Sequence, residues 1–248
     1  MLFQGFHLLL AIFLLSLPRV PGIFEPTDRI IGGSKVAITE VPWQVSLQYN
    51  GQHFCGGSIY SETIIITAAH CVEDKMTLPL DIRAGSSDYQ NGGTLVQVEA
   101  IRYHAEYKRL ANDVAVLKLR YPLTFSDAIQ PISLAEKNPA EGSVALTTGW
   151  GSVGLINDTP QELRGVQVKI ENWLWCRIKY FFVMYSDDIC AGSAFQAICR
   201  GDSGGPLVVD GKLVGITSRT GNFLCLASGL YASVAKYNTW IHQAIESF

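Results

Sequence analysis

The feature that most restricts the fold of this chain is a long succession of short β-rich runs. They include WQVSLQY at 43–49, TIIITAAH at 63–70, TLVQVEAIRY at 94–103, DVAVLKLRY at 113–121, SVALTTGWG at 143–151, GVQVKI at 165–170, GPLVVDGKLVGITS at 205–218 and GLYASVA at 229–235. WQVSLQY and TLVQVEAIRY alternate apolar and polar residues, the pattern of a strand with one wet face. TIIITAAH is apolar nearly throughout, the pattern of a strand buried on both faces. Turn formers punctuate the runs: NGQ at 50–52, NGG at 91–93 and DGK at 210–212. Such a series builds an all-β barrel or sandwich. VVDGKLV within it reads as a hairpin closed by an Asp-Gly turn. Only the tail, YNTWIHQAIES, has helical spacing, with Trp240, Ile241, Ala244 and Ile245 on one face and Asn238 at the N-cap. A length of 248 residues admits one large all-β unit or two modest domains. Composition alone marks no boundary between them. After residue 22 there is no long linker, low-complexity tract or solenoid-length repeat.

The first 22 residues have a different character. Phe6 to Leu17 is an apolar run free of Asp, Glu, Lys and Arg. It is shorter than the roughly 20 residues needed to cross a bilayer and matches the core of a secretory signal peptide. Val20 and Gly22 suit cleavage after residue 22. The expectation is a secreted, extracellular protein. In that compartment the six cysteines, Cys55, Cys71, Cys176, Cys190, Cys199 and Cys225, favour disulfides. None has the C-x-x-C spacing of a structural zinc site. Six cysteines allow 15 connectivities, and spacing does not choose among them. The net charge of −3 gives no sign of a nucleic-acid or anionic-membrane partner.

CRGDSGGPL at 199–207 places Ser203 among glycines and beside Asp202. A serine hydroxyl is a weak nucleophile unless a base lies within hydrogen-bond reach. The candidates are His7, His53, His70, His104 and His242. His70 stands out because it directly follows a buried-type strand and precedes Cys71. Asp113, at the head of VAVLKL, could orient it. Taken singly, each of these residues has a bland structural reading: a turn serine, a core histidine, a strand-end acid.

Together, TAAHC around His70, NDVAVLKL around Asp113 and GDSGGP around Ser203 resemble the chymotrypsin-like, trypsin-fold serine proteases. RIIGG at 29–33, PWQVSL at 42–47, CGGSI at 55–59 and TGWG at 148–151 agree with that family. The resemblance covers residues 30–248. It implies two six-stranded antiparallel Greek-key β-barrels with a C-terminal helix. It implies a signal peptide at 1–22, an activation propeptide at 23–29 and a protease domain at 30–248. It also implies roles. Ser203 would be the nucleophile, His70 the base and Asp113 the group that orients the base, with the Gly201 and Ser203 amides as oxyanion hole. Cleavage after Arg29 would free an Ile30 ammonium to pair with Asp202. The disulfides would be Cys55–Cys71, Cys176–Cys190 and Cys199–Cys225.

The same resemblance places the substrate-binding pocket at Ala197, Ile198, Ser218, Thr220 and Gly229. Ala197 stands where a tryptic pocket needs an aspartate, so a preference for small or medium apolar side chains is expected. Arg219 departs from the family's usual tryptophan. With Arg200 it reads either as a solvated cation or as part of a basic rim favouring acidic substrates. No cofactor or metal is implied. NDT at Asn157 is a glycosylation sequon. The partners implied are protein or peptide substrates, an activating protease of tryptic specificity and protein inhibitors, acting on a monomer. A non-catalytic homologue is the competing reading, and it would be favoured by loss of a triad residue, of which there is none.

Overall fold

The structure, a computed structural model, describes residues 33–108, 110–152, 159–192, 198–221 and 227–248. The proposed signal peptide, the propeptide with Arg29 and Ile30, and the Asn157 sequon lie outside the described residues, as do Ala197 and Cys225.

A two-residue strand, β1 (Ser34–Lys35), leads into the first barrel. Its strands are β2 (Gln44–Tyr49), β3 (Gln52–Ile59), β4 (Ile64–Thr67), β5 (Leu80–Ala84), β6 (Thr94–Tyr103) and β7 (Ala115–Leu119). They close antiparallel in the order β2-β3-β4-β7-β6-β5. A short strand, β8 (Ser133–Leu134), starts the second half. There β9 (Val144–Gly149), β10 (Arg164–Ile170), β11 (Asp188–Gly192), β12 (Pro206–Val209), β13 (Lys212–Thr220) and β14 (Gly229–Ser233) follow. Their order is β10-β11-β14-β13-β12-β9, and β9 pairs again with β10 to close the second barrel. β1 and β8 attach to its outside, on β10 and β13. Both barrels therefore follow one Greek-key connectivity, as expected.

The Asp-Gly hairpin forms as read. Asp210 and Gly211 both have positive φ, 49° and 71°, which is the requirement of a type I′ turn between β12 and β13. The alternation in WQVSLQY has a different meaning from the one expected. Gln44, Ser46 and Gln48 are as buried as Val45 and Leu47. Their polar face is satisfied inside the protein, by both halves of the chain, rather than by water. Thr148 Oγ1 donates to Gln44 Oε1 at 2.6 Å, and Gln48 Nε2 donates to the Tyr89 carbonyl at 2.5 Å.

The helical reading needs two corrections. First, the tail helix α2 spans Val234–Glu246 and is capped by Ser233, whose Oγ accepts from Lys236 N at 3.2 Å. Asn238 is therefore inside it. Its buried face is Val234, Tyr237, Ile241 and Ala244, with Trp240 and Ile245 at the edge. Second, a helix stands where none was expected: α1, Trp173–Lys179, capped by Asn172, whose Oδ1 accepts from Trp175 N at 3.1 Å. It has two turns, and Trp173, Leu174, Trp175 and Ile178 are exposed. Without an apolar stripe on one buried face it carries no helical periodicity.

Candidate active site

The site lies in the seam between the barrels. His70 sits in a single 3-10 turn, Ala69–Cys71, directly after β4. The Cys55–Cys71 disulfide ties that turn to β3, and Cys176–Cys190 ties α1 to β11. Cys199 is disulfide-bonded as well. Asp113 precedes β7 and is 1% exposed. Its Oδ1 accepts from the His70 backbone amide at 2.9 Å and its Oδ2 from His70 Nδ1 at 2.8 Å. A carboxylate can only accept here, so Nδ1 carries the hydrogen. In the neutral ring, Nε2 then offers its lone pair. A third donor reaches the same oxygen: Ser218 Oγ, at 2.5 Å. Sequence reasoning placed Ser218 in the substrate pocket. The structure places its hydroxyl on Asp113.

Ser203 comes from the loop before β12. Its carbonyl accepts from Gly56 N of β3 at 2.7 Å, which fixes the loop against the first barrel. Gly204 has φ +76°, and a Cβ there would stand 2.1 Å from Thr67 Oγ1 in β4, so no other residue fits. Ser203 and His70 are thus brought to the same seam, although no hydrogen bond joins them. Catalytic hydrogen bonds of this kind are often loose before substrate binds. Gly201 has φ +98°, again glycine territory, and a Cβ would approach Gly151 Cα to 3.1 Å. Among the described residues the amides of Gly201 and Ser203 have no backbone acceptor. N–H groups beside a hydroxyl, left without an acceptor among the described residues, are donors of the kind an acyl-transfer site uses to hold a developing oxyanion.

Asp202 is buried at 2% exposure. Its Oδ1 accepts from Gly151 N and its Oδ2 from Cys199 N, both at 2.8 Å. Burial pushes its carboxyl up to about 6, against the lowering effect of these amides, and no cation among the described residues offsets it.

One residue of the loop's support was missed in the sequence. His53 Nε2 lies 2.9 Å from the Gly201 carbonyl, and its Nδ1 lies 2.9 Å from Ser46 Oγ. The carbonyl must accept, so Nε2 carries the hydrogen and Nδ1 accepts from Ser46. Burial lowers the imidazole to about 4, outweighing the Gly201 bond, so the ring is neutral. No local pattern in the sequence marks this contact, which joins residues 148 positions apart.

Arg219 corrects the rim reading. Its side chain is 8% exposed and paired with Asp188, itself 5% exposed. It does not project over the cleft as a free cation, whereas Arg200 is exposed. Beside Ser203 a cleft of about 180 Å³ is lined by Ile198, Arg200, Ser218, Arg219 and Thr220. Thr220 pairs with Gly229 across β13 and β14. The Ile198 side chain packs on Gly229, where a Cβ would come within 2.9 Å of Ile198 Cδ1. Among the described residues, His70 and Glu171 each stand beside a cysteine pair, but those sulfurs are tied in disulfides and cannot serve as metal ligands.

The comparisons with known proteins agree with this geometry. A family model described as Trypsin matches residues 30–241. Trypsin delta of Drosophila erecta is 41% identical over 234 residues, covering 91% of this chain and 89% of the relative. Trypsin alpha-4 of Lucilia cuprina is 41% identical over 225 residues, covering 88% of each. Among solved structures, neuropsin, a serine protease expressed in the limbic system of mouse brain, superposes with a TM-score of 0.80 at 30% identity. That match covers 86% of this chain and 99% of neuropsin. With the fold, the seam and the motifs in agreement, the chain belongs to the trypsin family and is a serine endopeptidase.

Proposed function

We propose that this is a secreted protease made as a zymogen, activated by cleavage after Arg29 and acting through Ser203, His70 and Asp113. Ser203 Oγ attacks the scissile carbonyl while His70 Nε2 takes its proton. The tetrahedral oxyanion is held by the Gly201 and Ser203 amides. His70 returns the proton to the leaving amine, and water then hydrolyses the acyl-enzyme by the same route reversed. Asp113 fixes the ring tautomer and stabilises the imidazolium. The observation that carries this reading is Asp113 itself: a buried carboxylate whose two oxygens take the amide and the ring of His70 together.

Activation is supported by Asp202. A buried carboxylate with only amide donors is poorly stabilised as an anion, and a cation brought to it would restore the ionised form. The Ile30 ammonium, released by cleavage after Arg29, is that cation in this proposal. For specificity, Ala197 offers no charge to Lys or Arg, and Ile198 packed on Gly229 narrows the pocket. We expect small or medium apolar residues before the cut, with shallow discrimination of about 1–3 kcal/mol per methylene. Digesting a diverse peptide library with the activated enzyme, and mapping the new ends by mass spectrometry, tests this. Cleavage after Ala, Val and similar residues is expected, and absent with Ser203→Ala. Cleavage confined to Lys and Arg would overturn the pocket assignment.

A further inference from the structure

Arg219 contacts more of the site than its place in β13 suggests. The β13–β14 register shifts between Thr217 and Arg219, so Ser218 is the extra residue of a bulge. In a regular strand, neighbours 218 and 219 would point to opposite faces. The bulge brings both to one cluster. Arg219 Nη1 donates to Ser218 Oγ at 2.9 Å and to the Leu110 carbonyl at 3.1 Å. Nε donates to the Val183 carbonyl at 2.6 Å, Nη2 donates to Asp188, and the guanidinium lies 5.0 Å from the centre of the Tyr185 ring.

A serine hydroxyl has one hydrogen, whereas a guanidinium has only donors. Ser218 Oγ must therefore accept from Arg219, and its single proton is left for Asp113 Oδ2 at 2.5 Å. We propose that Arg219 is a positioning residue for the triad: anchored by Asp188, it orients the Ser218 hydroxyl so that its proton is committed to Asp113. The inference rests on Asp113 and His70 acting as described above. Loss of that orientation leaves Asp113 with one donor fewer.

The charged and titratable groups around the cluster come from several elements. They are Asp113 and His70, Asp188 with its neighbour Asp187, and the phenols Tyr107, Tyr185 and Tyr237. Burial first, then nearby carboxylates, raises the Tyr107 and Tyr237 phenols, so both stay neutral across the working range. Burial also pushes Asp188 up, to about 6, against the lowering effect of Arg219.

The test is a double-mutant cycle on enzyme cut after Arg29, with Arg219→Gln, Ser218→Ala and the pair. Arg219→Gln is expected to lower kcat about tenfold with little change in KM, and to move the acid limb of the pH–rate profile to higher pH. In the Ser218→Ala background the same change is expected to cost less than about twofold, because its target is gone. Equal losses in both backgrounds would overturn the proposal, since a merely structural role does not depend on the hydroxyl. If Arg219→Gln does not fold, Asp188→Leu with Arg219→Met replaces the buried pair by apolar packing. It should show the same loss, and full activity from it would equally refute the idea. A readout independent of catalysis separates this inference from the proposed function. The His70 Nδ1–H proton resonance, recorded on uncut protein, should shift in Arg219→Gln and not further in the double variant. An unmoved resonance would contradict the orientation, whatever the enzyme's activity.

Discussion

Two buried groups of opposite chemistry flank Gly201, and each predicts its own pH dependence. Asp202, raised to about 6, binds protons more tightly folded than unfolded. Its cost, about 3 kcal/mol when ionised, is present above pH 6 and disappears as the pH falls towards 4. His53, lowered to about 4, behaves in reverse. Its contribution is complete above pH 6.5 and is lost as the pH falls towards 4, because only the unfolded ring takes a proton. In uncut protein, relative to wild type at each pH, His53→Gln should therefore gain stability on acidification and Asp202→Asn should lose it. Urea unfolding between pH 4 and 7 with disulfides intact measures both. Equal slopes for the two variants would refute the assignment. The motifs around His70, Asp113 and Ser203 were legible because each is contiguous in sequence. The contacts of His53 with Gly201 and of Arg219 with Asp188 were not, because they join residues 148 and 31 positions apart.

At the scale of elements, strands and tight turns were legible, since alternation and Asn-Gly or Asp-Gly pairs are local. α1 was not, being two turns long with apolar residues facing outward, so its cap and its disulfide hold it rather than an amphipathic face. The bulge in β13 was equally invisible, yet it decides where Ser218 points. Turn glycines separate backbone cost from packing cost. Gly211 has φ +71° with open space around it, so Gly211→Ala should cost about 1 kcal/mol and leave kcat unchanged. Gly204 has a similar φ, but its Cβ would collide with Thr67 and the Gly56 carbonyl. Gly204→Ala should cost more than about 3 kcal/mol and abolish activity. Chemical denaturation of both distinguishes the cases, and similar losses would contradict the packing argument.

For the whole molecule, the central fact is one connectivity used twice with no repeat visible in the sequence. The two barrels share strand order, and one apolar cluster runs from the first barrel into β12, β13, β14 and α2. Pattern reading could therefore give β-rich architecture but not two closed units or the seam between them. That seam is where the proposed catalytic residues meet. The first barrel contributes His70 and Asp113, the second contributes Ser203, Ser218 and Arg219, and neither barrel alone assembles the set. The account stands on Ser203 being an activated nucleophile that becomes competent on cleavage after Arg29. The most direct measurement is covalent labelling by a fluorophosphonate of cut protein, uncut protein and cut Ser203→Ala. Labelling of cut wild type alone is the predicted result. An unlabelled cut protein with Ile30 as its N-terminus and its fold intact, or equal labelling of the Ser203→Ala variant, would contradict it.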